Sequence, residues 1–130
     1  QALQEEAVYD DLFAEVCGFL QVQAAKARDA GIETVIVDPG IGFGKTAQDS
    51  LKILNQLSFL HRLGFPLLLG ASRKSFIGKV LETEVSQRLF GTAASVAASV
   101  MRGAHIVRVH DVREMRQVVD VADAIMKETA

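Results

Sequence analysis

Between about residues 10 and 30 the apolar positions Leu12, Phe13, Val16, Leu20, Ala24 and Ala27 fall near one helical face, and Gly31 supplies a stop. The pattern predicts an amphipathic helix. It changes at residues 34–38, where Val35, Ile36 and Val37 form an unbroken β-branched run flanked by turn residues, the form of a short strand buried on both faces. From about 48 to 63 helical spacing returns through Leu51, Leu54, Leu57, Phe59, Leu60 and Leu63, and Gly64 closes the segment. A second strand is predicted over 66–71. The polar loop 72–75 and a short turn near Gly78 follow, then a small-residue helix over about 86–102 in which Gly91, Ala94 and Ala98 permit close helix packing. Strand three is expected at 105–109. The last helix, about 112–127, has Val112, Met115, Val119, Ala122 and Met126 on one side.

One helix followed by three strand-helix units means parallel strands joined by right-handed crossovers. Asp38, Lys74 and His110 sit just past the ends of the three strands, at equal spacings of 36 residues. Equal units with polar residues at the same strand end suit a (β/α)₈ TIM barrel, whose sites are built from the loops after the strands. A small open doubly wound sheet would also fit. A whole barrel takes roughly 250 residues, so the expected fold class is α/β, the C-terminal portion of a (β/α)₈ barrel. It would comprise the last three of eight βα units with one helix ahead of them.

Composition narrows the function. At 130 residues, 49% apolar and 23% charged, the chain supports one core, and residues 1–130 read as a single unit. A net charge of −2 with mixed signs leaves no footprint for nucleic acid or an anionic membrane. Any bound anion must be held locally. Cys17, the only cysteine, reads as a buried structural thiol and implies a reducing compartment. No apolar stretch approaches the ~20 residues of a membrane span, and the N-terminus lacks a signal layout. A cytoplasmic location is expected.

Three segments carry candidate chemistry. In Asp38-Pro39-Gly40-Ile41-Gly42-Phe43-Gly44-Lys45-Thr46 the glycines admit close backbone approach, and a carboxylate at a strand end can accept paired hydrogen bonds from a 2-aminopyrimidinone edge. A phosphate-binding P-loop needs glycine six positions before the lysine, where Pro39 stands. The plain alternative is a Gly-rich turn with a capping Asp. In Gly70-Ala71-Ser72-Arg73-Lys74-Ser75-Phe76-Ile77-Gly78, two cations and two hydroxyls crowd a strand end, suited to an anion or, more plainly, to a solvated basic loop. Strand alternation places Arg108 and His110 on one face, where a guanidinium can stack on a heteroaromatic ring and still fork a phosphate oxygen. His61 and His105 lack such a context and read as structural or exposed. Asp111 suits a helix cap as well as a site. No paired metal-ligand spacing, nucleophile elbow or carboxylate pair supports a zinc-enzyme or hydrolase reading.

In their order and spacing, DPGIGFGKT, GASRKSFIG and RLFGTAASVAASVMRGAHIVRVHDV closely resemble the C-terminal half of dihydropteroate synthase. The Tyr9-Asp10-Asp11 opening is similar to the family's segment before its sixth strand. The resemblance implies a transferase of folate biosynthesis that joins p-aminobenzoate to 6-hydroxymethyl-7,8-dihydropterin pyrophosphate, with Mg²⁺ assisting the leaving group. It implies that Asp38 grips the pterin amino-pyrimidine edge, Lys74 hydrogen-bonds the ring and Gly70 lets the ring come close. Arg108 would stack on the pterin and contact the diphosphate, with His110 a further phosphate ligand. Gly42, Phe43, Ser72 and Ser75 would shape the p-aminobenzoate pocket, where sulfonamides compete.

The family's N-terminal strands, with an Asn for the metal and diphosphate and an Asp and Asn for the pterin, have no counterpart in these residues. The main Mg²⁺ ligand is expected there, none in this stretch, and the stretch taken alone is expected to be inactive. Unpartnered strand edges predict self-association. The resemblance implies a homodimer formed through C-terminal helices, with the Gly91/Ala94/Ala98 face as candidate. Two alternatives are a non-catalytic half-barrel and a methyltetrahydrofolate methyltransferase domain, whose reaction has no diphosphate to engage Arg108 and His110.

Overall fold

The computed structural model describes residues 2–128, with side chains from residue 12 onward. Helix α1 (Ala2–Asp29) begins well before the expected position 10, and Tyr9, Asp10 and Asp11 lie outside the described side chains. Its buried stripe is Val16, Leu20 and Ala24, spaced by four as a helix face requires. Phe13 meets Phe59 edge-on, with ring centroids 4.4 Å apart. Gly31, at φ +95°, lets the Ile32 N–H reach back to Ala27 O at 3.0 Å and closes the helix. Cys17 is half-buried against the core rather than fully enclosed, and burial raises its thiol pKa.

The predicted helix over 48–63 is two elements. Helix α2 (Ala47–Asn55) starts in a capping box, where the Asp49 N–H donates to Thr46 Oγ1 at 3.0 Å and the Thr46 N–H donates to Asp49 Oδ2 at 3.3 Å. It ends at Gln56, and Leu57–Leu63 winds on as a 3₁₀ helix to Gly64 at φ +80°. The tighter winding repeats every third residue. Leu57 and Leu60 are thereby both fully buried, with Leu63 half-buried beneath them.

The strands are shorter than predicted. Hydrogen-bonded pairing is confined to β1 (Leu68–Leu69) and β2 (Ile106–Val107), parallel in the register Leu68 to Ile106 and Leu69 to Val107, plus a parallel bridge from Val37 to Leu67. Consecutive segments therefore lie side by side and point the same way, the arrangement of a barrel wall. Burial on both faces fails in the first segment, where Val37 is enclosed but Ile36 is 45% exposed. Leu67 and Leu69 are fully enclosed among Ile41, Ile53, Phe76 and Ile77, and each such side chain stabilises the fold by roughly 1.5–3 kcal/mol.

The expected turn near Gly78 is a helix, α3 (Ser75–Leu81). A 3₁₀ turn, Val85–Gln87, leads into α4 (Leu89–Met101), which packs on α5 (Val112–Lys127). A Cβ at Gly91 would overlap Ile77. The Gly91 face is thus filled by α3 of the same chain, while Ala94 is exposed. The hydroxyls of Ser95 and Ser99 turn back onto Gly91 O at 2.8 Å and Ser95 O at 2.6 Å, so polar residues sit inside an apolar contact without unmet hydrogen bonds. On α5, Met115 and Ala122 are buried, but Val112 and Met126 are exposed.

At the N-terminal edge of the parallel segments His61 Nε2 lies 2.8 Å from Gly103 O, and the Leu67 N–H donates to His105 Nδ1 at 3.0 Å. Arg102 donates to Asn55 O at 2.8 Å and to Asn55 Oδ1 at 3.1 Å. These groups tie loops together, as the structural reading of His61 and His105 anticipates.

Candidate functional site

At the opposite edge the Gly-rich loop leaves the first segment through Asp38. Asp38 Oδ1 accepts the Gly40 N–H at 2.8 Å, which pins the turn and leaves the second carboxylate oxygen available. Gly40 and Gly42 lie at φ +74° and +85°, where a side chain would be strained. The Lys45 ammonium donates to Gly40 O at 3.2 Å and Phe43 O at 3.3 Å. Lysine here braces the loop from inside. Asp38, Gly40 and Phe43 line a cleft of about 580 Å³ against Leu12, Val16 and Phe19 of α1.

Gly70, Ser72, Lys74, Arg108 and His110 line a second cavity of about 390 Å³. The sequence places these residues on two different loops, and β1 pairing with β2 brings the loops together. The space over Gly70 is taken by Arg108: a Cβ there would stand 3.3 Å from both Nε and Nη2. Glycine therefore lets the guanidinium lie flat on the strand end. Ser72 is buried, and its Oγ accepts the His110 N–H at 3.2 Å and lies 2.8 Å from His110 Nδ1. It orients the imidazole. Ser75 stands exposed on the first turn of α3 and does not line this cavity.

Lys74 joins the two cavities. Its Nζ lies 4.1 Å above the centre of the exposed Phe43 ring, and its Cδ would be 3.2 Å from a Cβ at Gly42. Burial lowers the Lys74 pKa below the ordinary lysine range, the Arg108 guanidinium lowers it further, and Asp38 opposes both. Two cations crowded beside one carboxylate leave an excess of positive potential facing the cavity. Such a site attracts an anion.

Arg73 is the residue the sequence undervalued. It adopts φ +58°, a left-handed conformation that costs a non-glycine residue roughly 1–3 kcal/mol. Its side chain pairs with Asp111 at 2.9 Å. Asp111 thus ties the two site loops together and makes no side-chain cap on α5. Among the described residues no group of three or more His, Cys, Asp and Glu could hold a metal ion; Asp38 stands with one oxygen on the Gly40 N–H, and Asp111 is paired with Arg73. The residues here do not fit a Mg²⁺ site by themselves. Also among the described residues, no helix is long and apolar enough to cross a membrane.

The pterin binding enzyme family model matches residues 1–110. A dihydropteroate synthase of Synechocystis sp. is 48% identical over 130 residues, covering 98% of this chain and 45% of that protein. The solved dihydropteroate synthase of Coxiella burnetii in complex with pteroic acid superposes with a TM-score of 0.89 at 34% identity, covering 92% of this chain and 46% of that one. The Thermus thermophilus enzyme, solved with 4-aminobenzoate and with 6HMPPP, superposes at 0.84 with 41% identity, covering 88% and 47%. This chain spans just under half the length of these relatives. A family match over most of the sequence, on a backbone that follows theirs, makes the conclusion plain: the chain belongs to the pterin binding enzymes and builds part of a (β/α)₈ barrel.

Proposed function

We propose that this chain carries the pterin- and diphosphate-recognising part of a dihydropteroate synthase, which joins p-aminobenzoate to 6-hydroxymethyl-7,8-dihydropterin pyrophosphate and releases pyrophosphate. The observation that carries the reading is the convergence of Lys74, Arg108 and His110 on one strand-end cavity, with Asp38 across from Lys74. The bound molecules named for the Thermus thermophilus enzyme, 4-aminobenzoate and 6HMPPP, have the chemistry this arrangement suits.

Carbon–oxygen cleavage leaves a pterin methylene cation stabilised by its electron-rich ring, and the amine of p-aminobenzoate then forms the new carbon–nitrogen bond and loses a proton. The protein's work is to orient the ring and neutralise the departing diphosphate. The Asp38 carboxylate takes the amino-pyrimidine edge with its open oxygen. Lys74 donates to the ring, and Arg108 stacks on it while forking a phosphate oxygen. The Ser72 hydroxyl can donate a hydrogen bond to His110 Nδ1, in which case the ring proton sits on Nε2 as a phosphate donor. Phe43 and Gly42 border the p-aminobenzoate side, to which the family resemblance also assigns Ser72 and Ser75, and the sulfonamide competition expected of the family falls there.

Mg²⁺ belongs to this reading as an aid to the leaving group, held mainly by groups beyond these residues. The 130 residues taken alone bind without turnover. A homodimer and a cytoplasmic location complete the reading; the lone half-buried Cys17 thiol suits a reducing compartment.

Calorimetric titration of the pterin pyrophosphate into the full chain, with Asp38→Ala beside it, tests the reading. Binding that weakens on the order of 100-fold in the variant is expected for a charged hydrogen-bonding partner lost from a partly buried site. Equal binding by wild type and Asp38→Ala, or none by a wild-type chain that is folded by circular dichroism, would sink it.

A further inference from the structure

We propose that Thr92 and Arg88 of the α4 N-terminus, both outside the cavity, are positioning residues that lock the 72–75 loop so that Lys74 faces the ligand. The proposal rests on the functional reading just given only for what the ligand is; the lock itself is a property of the backbone.

Three observations converge on a single residue. The Arg73 N–H donates to Thr92 Oγ1 at 3.0 Å, and Thr92 is fully buried. The Arg73 carbonyl accepts from Arg88 Nη1 at 2.9 Å. Arg73 itself stands at φ +58°, a conformation that persists only where the surroundings over-determine it. Residues 88 and 92 are one helical turn apart and share a face, and the Thr92 N–H bonds to Arg88 O at 2.8 Å. One face of α4 therefore grips both the donor and the acceptor of the strained residue.

The second half of the clasp is the seat of Arg88. Its guanidinium lies on Gly78 so closely that a Cβ there would overlap it, and Nη2 also reaches Thr83 O at 3.4 Å. The same side chain thus fixes the loop before α3 and the chain just after it. Glycine at 78 is what admits it.

The functional consequence follows from geometry at Arg73. The left-handed residue reverses the chain between two site residues that must point to different partners. Ser72 turns toward His110, 2.8 Å from Oγ to Nδ1, and Lys74 turns toward Phe43, 4.1 Å from Nζ to the ring centre. Released from Thr92 and Arg88, residue 73 would relax to ordinary φ and rotate Lys74 away from Arg108 and Asp38. The Arg73–Asp111 ion pair is half-exposed and too weak to hold the turn alone.

The test uses the full chain with Thr92→Val, Thr92→Ser and Arg88→Met, read by amide hydrogen exchange and by titration of the pterin pyrophosphate. In Thr92→Val and Arg88→Met, the Arg73 amide should exchange about tenfold faster while core amides of α4 and α5 keep their rates, and affinity should fall about tenfold. Thr92→Ser, which keeps the hydroxyl, should restore both to within about twofold. Wild-type exchange at Arg73 in both variants would overturn the lock, even if affinity fell. Faster Arg73 exchange in a chain whose wild type binds no pterin pyrophosphate would leave the lock standing and remove the functional reading instead.

Discussion

At the N-terminal edge of the parallel segments the polar work falls to His61, His105 and Arg102; at the C-terminal edge it falls to His110, Arg108 and Lys74. Residue types are nearly the same, and exposure does not separate them, since all three histidines and both arginines reach solvent. What differs is how their hydrogen-bonding groups are used. His61, His105 and Arg102 are committed to the backbone at Gly103, Leu67 and Asn55. Among the described residues the Arg108 guanidinium and the Lys74 ammonium make no hydrogen bond, and His110 commits one ring nitrogen, to Ser72. One edge is a clasp and the other, in the proposed reading, a receptor. The number of uncommitted donors, rather than residue type or burial, tells them apart.

Gly103→Ala should show the largest effect at the clasp edge. The position holds φ +100° and its Cβ would overlap the His61 ring, so thermal or denaturant unfolding should report a loss of about 2–3 kcal/mol. Ligand affinity in the folded protein should be unchanged. At the receptor edge, Arg108→Met keeps the stem and removes the guanidinium; pterin pyrophosphate affinity should drop roughly 30-fold with little change in unfolding free energy. An affinity loss of similar size in Gly103→Ala would show that the edges are not separate.

His105→Leu deprives the Leu67 N–H of its acceptor and should cost about 1 kcal/mol of stability, measurable by denaturant titration, without touching affinity. The smallest effect is expected at Lys74. Its folded-state pKa is lowered by burial and by Arg108, so the folded chain binds that proton less tightly than the unfolded chain. Stability therefore rises with pH between the folded value and the ordinary lysine value. Lys74→Met should flatten that alkaline rise in a pH series of melts while weakening ligand binding. A pH series identical to wild type would place the Lys74 ammonium in open water, and the receptor edge would lose its excess of positive potential.

Candidate site residues were legible where local chemistry was enough. Asp38, Lys74 and His110 at equal intervals marked one strand edge, and alternation put Arg108 beside His110. Other contacts appear only in three dimensions. Ser72 lies against His110, Asp111 pairs with Arg73, and the Arg108 guanidinium sits over Gly70. The capping box at Thr46 and Asp49 carried a readable spacing of three; Thr92 carried none. A threonine inside a small-residue helix has no sequence mark of a partner 19 residues earlier.

The sequence by itself determined the buried face of α1, the centre of the α5 face at Met115 and Ala122, the parallel order of the extended segments and the edge at which polar residues collect. These follow from hydrophobic periods of 3.6 and 2 and from chain order, which are local or nearly so. Tertiary structure alone decided that Leu57–Leu63 winds as a 3₁₀ helix, because apolar residues three apart satisfy either winding until the core beneath Leu57 and Leu60 selects the tighter one. It also decided the left-handed turn at Arg73. That turn is unfavourable for the residue in isolation and exists only because α4 supplies a hydroxyl and a guanidinium to hold both sides of it.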